Sequence, residues 1–268
     1  DDKKIKINKI ITINKIKKSK FDVIILSPGI DINKCKLKNF LKKNLKIIYT
    51  DLDVFSSFYK NQCITITGTN GKTTTAHLLG AIFRQQGLNT EVFGTLSGAR
   101  TTPESCDLQR NLWHAAEAGV QAVVMEVTSH ALELYRVAGT TFDVSVFTNL
   151  SQDHLDFHLT MEKYFAAKAK LFTNEYSKRG VVNRDDVHGQ LLLDTMTIDS
   201  MSFGMSDVAH VQMDARHIEY EIDGVHMRAQ LGGQFNVMNS LAAVSAARAL
   251  GVSLAEIADG LGRATAVP

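Results

Sequence analysis

Residues Ile64 to Thr75 read ITITGTNGKTTT, and their types and spacing point to one chemistry. A β-branched run turns into a short glycine-containing loop closed by Gly71-Lys72-Thr73. Backbone N–H groups of such a loop, and the helix start that follows, attract anionic oxygens; the lysine reaches outer phosphates and the threonine hydroxyl can ligate Mg²⁺. The common phosphate-loop spacing wants a glycine at position 66, where this chain has Ile66. The match is therefore to the shorter form running Gly68, Thr69, Asn70, Gly71, Lys72, Thr73. A plain Gly-Asn-Gly turn would use the same glycines, but would not need strand, loop, Lys-Thr and a helical run from His77 to Gln86 in that order.

Two further places could serve a bound nucleotide. Ala122-Val-Val-Met-Glu126 is an apolar run ending in a carboxylate, the way a buried parallel strand presents a metal-binding or water-orienting acid at its C-terminal edge. A second strand delivers Thr148-Asn149-Leu150 and then Asp153-His154-Leu155-Asp156-Phe157-His158. This His/Asp group is readable as a transition-metal site, but further cysteine or histidine ligands at suitable spacing are missing. One histidine, His154, on a phosphate-bound Mg²⁺ is the more economical reading.

The elements that would position these groups alternate. Phe21–Leu26, a helix around Leu37–Asn44 and a strand at Lys46–Tyr49 form a βαβ pattern, with Ser27-Pro28-Gly29 as a turn. From the loop onward the expectation is a helix to Gln86, a strand near Glu91–Phe93, a helix from Pro103, strands at Ala122–Val127 and Asp143–Thr148, and a helix at Met161–Phe172. Such alternation implies a parallel sheet covered on both faces. Thr101 and Glu104 stand in capping-box spacing before that Pro103 helix. Past Gly180 the pattern changes: Ile218–Leu231 alternates around Asp223-Gly224, a strong hairpin signal, predicting antiparallel strands on one sheet edge. Helices at Asn236–Leu250 and Leu254–Leu261 close the chain. The fold class is α/β: a P-loop parallel-sheet ATPase domain with an antiparallel edge at 61–268, preceded by a partial small α/β, Rossmann-like domain at 1–60.

The chain has 268 residues, 44% of them hydrophobic, enough for one or two domains with real cores. No apolar run is long enough for a membrane span and no signal-peptide pattern opens it, so the cytoplasm is the expected compartment. Cys35, Cys63 and Cys106, odd in number and without metal spacing, read as free thiols in a reducing environment. The net charge of +2 conceals a step: residues 1–63 hold 15 Lys, no Arg and 6 Asp, or +9, whereas the rest carries −7. The N-terminal lysines are interleaved with isoleucines and lack aromatic platforms, so they read as solvated surface; neither nucleic acid nor membrane is an expected partner.

TGTNGKTTT, TTPES (Thr101–Ser105), MEVTSHALELYRV (Met125–Val137), FTNLSQDHLDFH (Phe147–His158), YFAAKAKLF (Tyr164–Phe172) and GQFNVMNSLAA (Gly233–Ala243) together resemble the Mur ligases. Within that family, residues 64–268 are similar to the branch that adds the third amino acid to UDP-N-acetylmuramoyl-dipeptide. Residues 1–63, through FDVIILSPGIDIN and the Asp51–Phe55 run, look more like the N-terminal domain of the D-glutamate-adding branch, an arrangement that would suit a chimera.

The resemblance implies an ATP-dependent amide ligase working through an acyl phosphate, with small-molecule substrates (UDP-muramoyl-dipeptide and diaminopimelate or lysine), a monomeric state, and two Mg²⁺ ions. It makes Lys168 a carbamylated lysine, its CO₂-derived carbamate a metal ligand beside Thr73, Glu126 and His154; by pattern alone Lys168 is a solvent-facing helical lysine. It makes Lys72, Glu126, His154 and Lys168 catalytic and puts Asn236 and Asn239 on the adenine side. Thr101, Thr102, Thr128 and Arg136 become contacts to the muramoyl-dipeptide. Arg100 departs from the small or amide residue the family carries before its Thr pair. The family's C-terminal domain is expected to be missing after Pro268, leaving the chain incomplete for turnover. Competing expectations are a D-glutamate-adding or folylpolyglutamate synthetase-like ligase, a regulatory NTPase, and a nucleotide-binding module without turnover.

Overall fold

The computed structural model describes residues 13–22, 24–26, 32–50, 59–97 and 100–265. The expected turn at Ser27–Gly29 and the Asp51–Phe55 run fall outside the described residues. Contacts divide the chain into two compact units, Asp1–Val54 and Phe55–Pro268.

The first unit contains a short helix α1 (Ile13–Ile16), strand β1 (Ile24–Leu26), helix α2 (Lys38–Lys43) and strand β2 (Ile48–Thr50). β1 and β2 pair in parallel, Ile24 opposite Ile48, which requires a crossover such as the one containing α2. Leu41 is its one fully buried hydrophobic side chain among the described residues.

The second unit is built on a six-stranded, all-parallel sheet in the order β4-β5-β3-β6-β7-β8. Its strands are β3 (Gln62–Thr67), β4 (Thr90–Phe93), β5 (Ala122–Glu126), β6 (Phe142–Phe147), β7 (Ser177–Asn183) and β8 (Asp199–Phe203). Alternate side chains go to opposite faces. Ile64, Ile66, Val124, Val144 and Val146 join one apolar core, and Cys63, Val123, Met125 and Phe147 the other. Helix α3 (Lys72–Gln85) covers the first face; α4 (Ser105–Glu117) covers the second. In register, Ile66 lies opposite Glu126 on one side and Thr67 opposite Phe147 a step later on the other. The loop after β3, the carboxylate ending β5 and the turn after β6 therefore share one rim. Because the chain leaves β3 for the sheet edge and returns to its other flank, that rim is a topological switch point, where open α/β sheets bind ligands.

Two expectations for the region past Gly180 need correcting. The hairpin forms around Asp223 (φ 49°) and Gly224 (φ 77°), joining β10 (Ile218–Ile222) to β11 (Val225–Ala229). With β9 (Ala209–Met213) it makes a separate three-stranded sheet rather than an edge of the parallel one. Ile218, Tyr220, Ile222, Met227 and Ala229 are buried in the same core as helices α9 (Gln234–Ala249) and α10 (Leu254–Arg263), so the small sheet docks by its face. The parallel alternation also continues past Gly180 through β7, a helix at Val187–Thr195 and β8. Lys178, Arg179 and Gly180 hide the first of these strands from an apolar pattern; Asp186, which accepts from the His188 and Gly189 N–H groups, starts the helix.

The capping box at Thr101 and Glu104 does not form. α4 begins at Ser105 with Glu104 as its N-cap residue and no side-chain cap bond, because the Glu104 carboxylate is held by arginines instead. Elsewhere packing is tight enough to require glycine: a Cβ on Gly260 of α10 would lie 2.6 Å from Ile82 Cα of α3. No helix among the described residues is long and apolar enough to cross a membrane.

Candidate functional site

The phosphate loop is strapped to the turn after β6 by hydrogen bonds. Asn149 accepts the Thr69 N–H at its carbonyl (2.9 Å) and the Asn70 N–H at its side-chain oxygen (2.9 Å). Thr148 Oγ1 and Asn149 Nδ2 both donate to the Asn70 carbonyl, at 2.7 and 3.1 Å. Gly68 and Gly71 are demanded by this closeness: a Cβ on Gly68 would collide with Thr148 Oγ1, and one on Gly71 (φ 81°) with Asn239 Oδ1. α3 starts at Lys72, so its first free N–H groups face the loop's concavity.

Glu126 is buried, and three donors hold its carboxylate. Thr73 Oγ1 donates to Oε2 at 3.0 Å, the Thr95 N–H donates to Oε1 at 2.9 Å, and Thr95 Oγ1 reaches Oε2 at 3.4 Å. Gly94 leaves room for it, since any Cβ there would strike the carboxylate. A carboxylate beside a Thr hydroxyl at a phosphate loop is a hard-oxygen pair that fits Mg²⁺, a cation usually held by one or two protein oxygens, phosphates and water. Consistent with that partial donor set, no group of three or more His, Cys, Asp or Glu among the described residues is placed to hold a metal by itself.

Two lysines meet at a single carbonyl. Lys72 Nζ donates to Gly68 O (3.0 Å) and Thr69 O (2.9 Å). Lys168 Nζ, from the helix α7 (Met161–Ala169), donates to the same Gly68 O at 2.9 Å and to Thr67 Oγ1 at 3.4 Å. Lys168 is 1% exposed, so the pattern-based expectation of a solvated lysine fails. Two ammonium groups on one oxygen repel, and burial penalises charge further. Burial first, and then Lys72, push the Lys168 amine well below the ordinary lysine range, with Asp153 opposing. Lys72, less enclosed, is lowered by burial against the pull of Glu126 and Asp153. Of the two, Lys168 is the one more strongly disfavoured as a cation. Its nitrogen also lies 4.9 Å over the Tyr164 ring, whose hydroxyl meets Thr69 Oγ1 at 3.2 Å.

A cavity of about 740 Å³ opens on this rim. It brings together Thr69, Asn70, Gly71, Lys72, Thr73, Glu126 and His154 with Thr101, Thr102, Thr128 and Arg136. His154 has left-handed backbone (φ 53°) and packs edge-on against His130 at 4.9 Å and Tyr164 at 5.9 Å. Buried His158 bonds Ser129 Oγ at 2.8 Å and stacks on Tyr164. Burial lowers the basicity of His130, with His154 adding to it, and burial likewise lowers His158, with His130 adding to it. Two predicted contacts are already engaged. Thr102 Oγ1 donates to the Glu126 carbonyl (3.0 Å) and accepts the Thr128 N–H (3.1 Å), and Thr128 Oγ1 caps the Ser129–Glu133 helix through the Ala131 N–H.

Lys168 does not line this cavity; it stands behind the loop. Asn236 and Asn239 also lie elsewhere. A second cavity, of about 570 Å³, takes Asn70, Gly71 and Asn149 on one side and Phe235, Met238 and Asn239 on the other. Asn236 supports it indirectly, accepting from Asn239 Nδ2 at 3.1 Å and donating to Gly232 O. Phe235, 88% exposed at its mouth, is not singled out by residue type, and neither are Thr95 and Tyr164. An exposed aromatic before the Asn pair is the signal that would have found Phe235. Of the three thiols, Cys63 is buried and its pKa pushed up by that burial, which makes it unreactive.

The family model of the Mur ligase middle domain matches residues 66–247. The protein named UDP-N-acetylmuramoyl-L-alanyl-D-glutamate--2,6-diaminopimelate ligase of Geobacter sulfurreducens is 41% identical over 232 residues, which are 76% of this chain and 45% of the relative. Its namesake from Synechococcus elongatus is 43% identical over 212 residues, 71% of this chain and 42% of the relative. A solved structure of a ligase with that name superposes with a TM-score of 0.70 at 27% identity, covering 83% of this chain and 53% of the other. A pseudomurein peptide ligase type C from Methanothermus fervidus shares the fold, with a TM-score of 0.62 at 23% identity over 95% of this chain and 59% of the other. The chain spans about half the length of the curated relatives it matches.

Proposed function

The chain belongs to the Mur ligase family, and from that premise we propose that it supplies the ATP-binding part of an enzyme that adds the third amino acid, diaminopimelate or lysine, to UDP-N-acetylmuramoyl-L-Ala-D-Glu in peptidoglycan synthesis. Phe55–Pro268 is the ATP-binding middle domain in this reading, and Asp1–Val54 a partial nucleotide-sugar-binding domain. The enzyme works in the cytoplasm, as a monomer, on small molecules. The observation that carries the proposal is the sharing of the Gly68 carbonyl by Lys72 and Lys168 next to the Thr73–Glu126 pair.

In the reaction, the loop amides and Lys72 bind the outer phosphates of ATP, for which Lys72 must exchange two backbone carbonyls for phosphate oxygens. Arg136 holds an acidic group of the acceptor so that its D-glutamyl carboxylate faces the γ-phosphoryl group. A carboxylate oxygen attacks that phosphorus, ADP leaves, and the resulting acyl phosphate is opened by the amine of the incoming residue, releasing phosphate. Most of the rate comes from positioning and from charge stabilisation. Mg²⁺, held by Thr73, Glu126 and His154, would neutralise charge shared between the phosphates and the attacking carboxylate.

Lys168 enters through its neutral amine. Its free lone pair would add to CO₂ with loss of a proton, turning a neutral amine into a carbamate anion that would supply oxygen donors for a second ion. The second cavity takes the base of ATP, with Asn239 at its polar side and Phe235 as an exposed face for stacking.

ADP release in the presence of ATP, measured with and without UDP-muramoyl-dipeptide and a diamino acid, tests the proposal. Release that requires both supports the ligase; equal release without them overturns it in favour of an NTPase.

A further inference from the structure

The wall of the main cavity that faces away from the phosphate loop holds more positive charge than its own carboxylate can match. Arg136 has a side chain only 16% exposed, and its Nη2 lies 2.9 Å from Glu104 Oε1. Its Nη1 makes only a long contact, 3.4 Å, to the Thr102 carbonyl, and its Nε is buried without any partner. Arg100 contacts the same Glu104 oxygen. One carboxylate oxygen thus serves two guanidinium groups. Although Glu104 is the N-cap residue of α4, its side chain caps no backbone N–H, so the carboxylate is given entirely to the arginines. Both arginines line the cavity.

A guanidinium is best satisfied by a planar anion that engages two of its nitrogens, and a buried donor without a partner marks a place where an acceptor belongs. Glu104 meets Arg136 through one nitrogen only, so a ligand carboxylate or phosphate can do better. Arg100 is the more exposed of the two, at 58%, and can follow Glu104 outward. Two arginines against one glutamate leave one surplus positive charge, the complement of one added anionic group.

We propose that Glu104 is a resident stand-in for an acidic group of the ligand, holding Arg136 while the cavity is empty and passing to Arg100 when an incoming carboxylate or phosphate takes its place. The inference rests on the reading of this cavity as the seat of the acidic acceptor, and deepens it by making Arg100 and Glu104 determinants of affinity and specificity. A neutral ligand gains nothing from the exchange and leaves Glu104 where it is, so discrimination comes from a competitor built into the wall. Arg100, at the point where the chain departs from its family's pattern, receives the displaced carboxylate.

The proposal fixes the sign of each substitution. Glu104→Gln removes the competitor and tightens binding, whereas a glutamate that merely orients Arg136 would loosen it on replacement. Arg100→Ala removes the place to which Glu104 retreats and weakens binding. In the double variant the competitor is gone, so the loss of Arg100 matters little.

Calorimetric titration of the four proteins with UDP-muramoyl-dipeptide, without nucleotide, tests this. Expected are a Kd about fivefold lower for Glu104→Gln, about fivefold higher for Arg100→Ala, and close to the glutamine variant for the double. Binding by Glu104→Gln no tighter than wild type, or a double variant that follows Arg100→Ala, overturns the exchange while leaving the substrate reading intact. A probe that none of the four proteins binds overturns the substrate reading, and the exchange with it.

Discussion

On the phosphate-loop side of the cavity the polar atoms already have partners within the chain: Asn149 clasps the loop, Thr73 and Thr95 hold Glu126, and two lysines share one carbonyl. On the Arg136 side a buried nitrogen has no partner and one carboxylate is divided between two cations. The first wall is preformed, and a ligand enters by replacing bonds that are already made. The second is a balance of charges. Damage to the first should be severe and in one direction; changes to the second should be graded and able to go either way.

Lys168→Ala is the hardest test of the preformed wall. ADP release should fall by about 10²–10³-fold, the usual cost of removing a preorganised charge-stabilising group, and bicarbonate should restore activity to CO₂-stripped wild type but not to the variant. Wild-type turnover in the alanine protein would end the carbamate role. Next in size is Gly71→Ala. Left-handed backbone and the collision with Asn239 together should cost about 1–3 kcal/mol, read from the urea midpoint, and weaken ATP binding in parallel; an unchanged midpoint would mean that the loop is looser than the contacts imply.

The depressed Lys168 amine also has a sign in stability. The unfolded chain holds that proton more tightly than the folded one, so acidification below the ordinary lysine value, about 10.4, favours unfolding until the folded group is itself protonated. In CO₂-free buffer, Lys168→Met should therefore gain stability over wild type as pH falls from that value. Melting temperatures of the two proteins that track each other across pH would contradict this. Phe235→Ala should weaken ATP binding by about fivefold, a modest stacking loss for so exposed a ring, and should leave the dipeptide Kd untouched; an equal loss for both ligands would merge the two cavities into one site. A last effect, confined to stability, lies outside both walls. Ser253→Ala, which opens the capping box with Glu256 at the start of α10, should lower stability by about 1 kcal/mol in a melt without altering either Kd.

The same contrast explains what could be read from residue order. The Gly68–Thr73 loop and Glu126 are local signals, a turn chemistry and a strand end, and the parallel register then sets them side by side. Lys168 reads from pattern as a solvated helical lysine, and only its resemblance to a family motif marks it out before the fold shows it buried. Glu104 has the spacing of a capping residue, and nothing local reveals that Arg136, on another segment, takes its carboxylate. Thr95 and Tyr164 act through a neighbour that the chain reaches only after folding. The β7 strand escapes sequence reading for a different reason: Lys178, paired with Asp143, and Arg179, paired with Asp199, interrupt its apolar run.

The contact between Gly260 and Ile82 joins α10 to the same helix whose first turn carries Lys72 and Thr73. A methyl group at position 260 would push on that rod, and any sideways shift of it would move the Lys72 and Thr73 side chains too. That contact is in this sense a handle: with Lys72 and Thr73 in the ATP-binding role proposed above, grip on the nucleotide is set there as well, by shim rather than by chemistry.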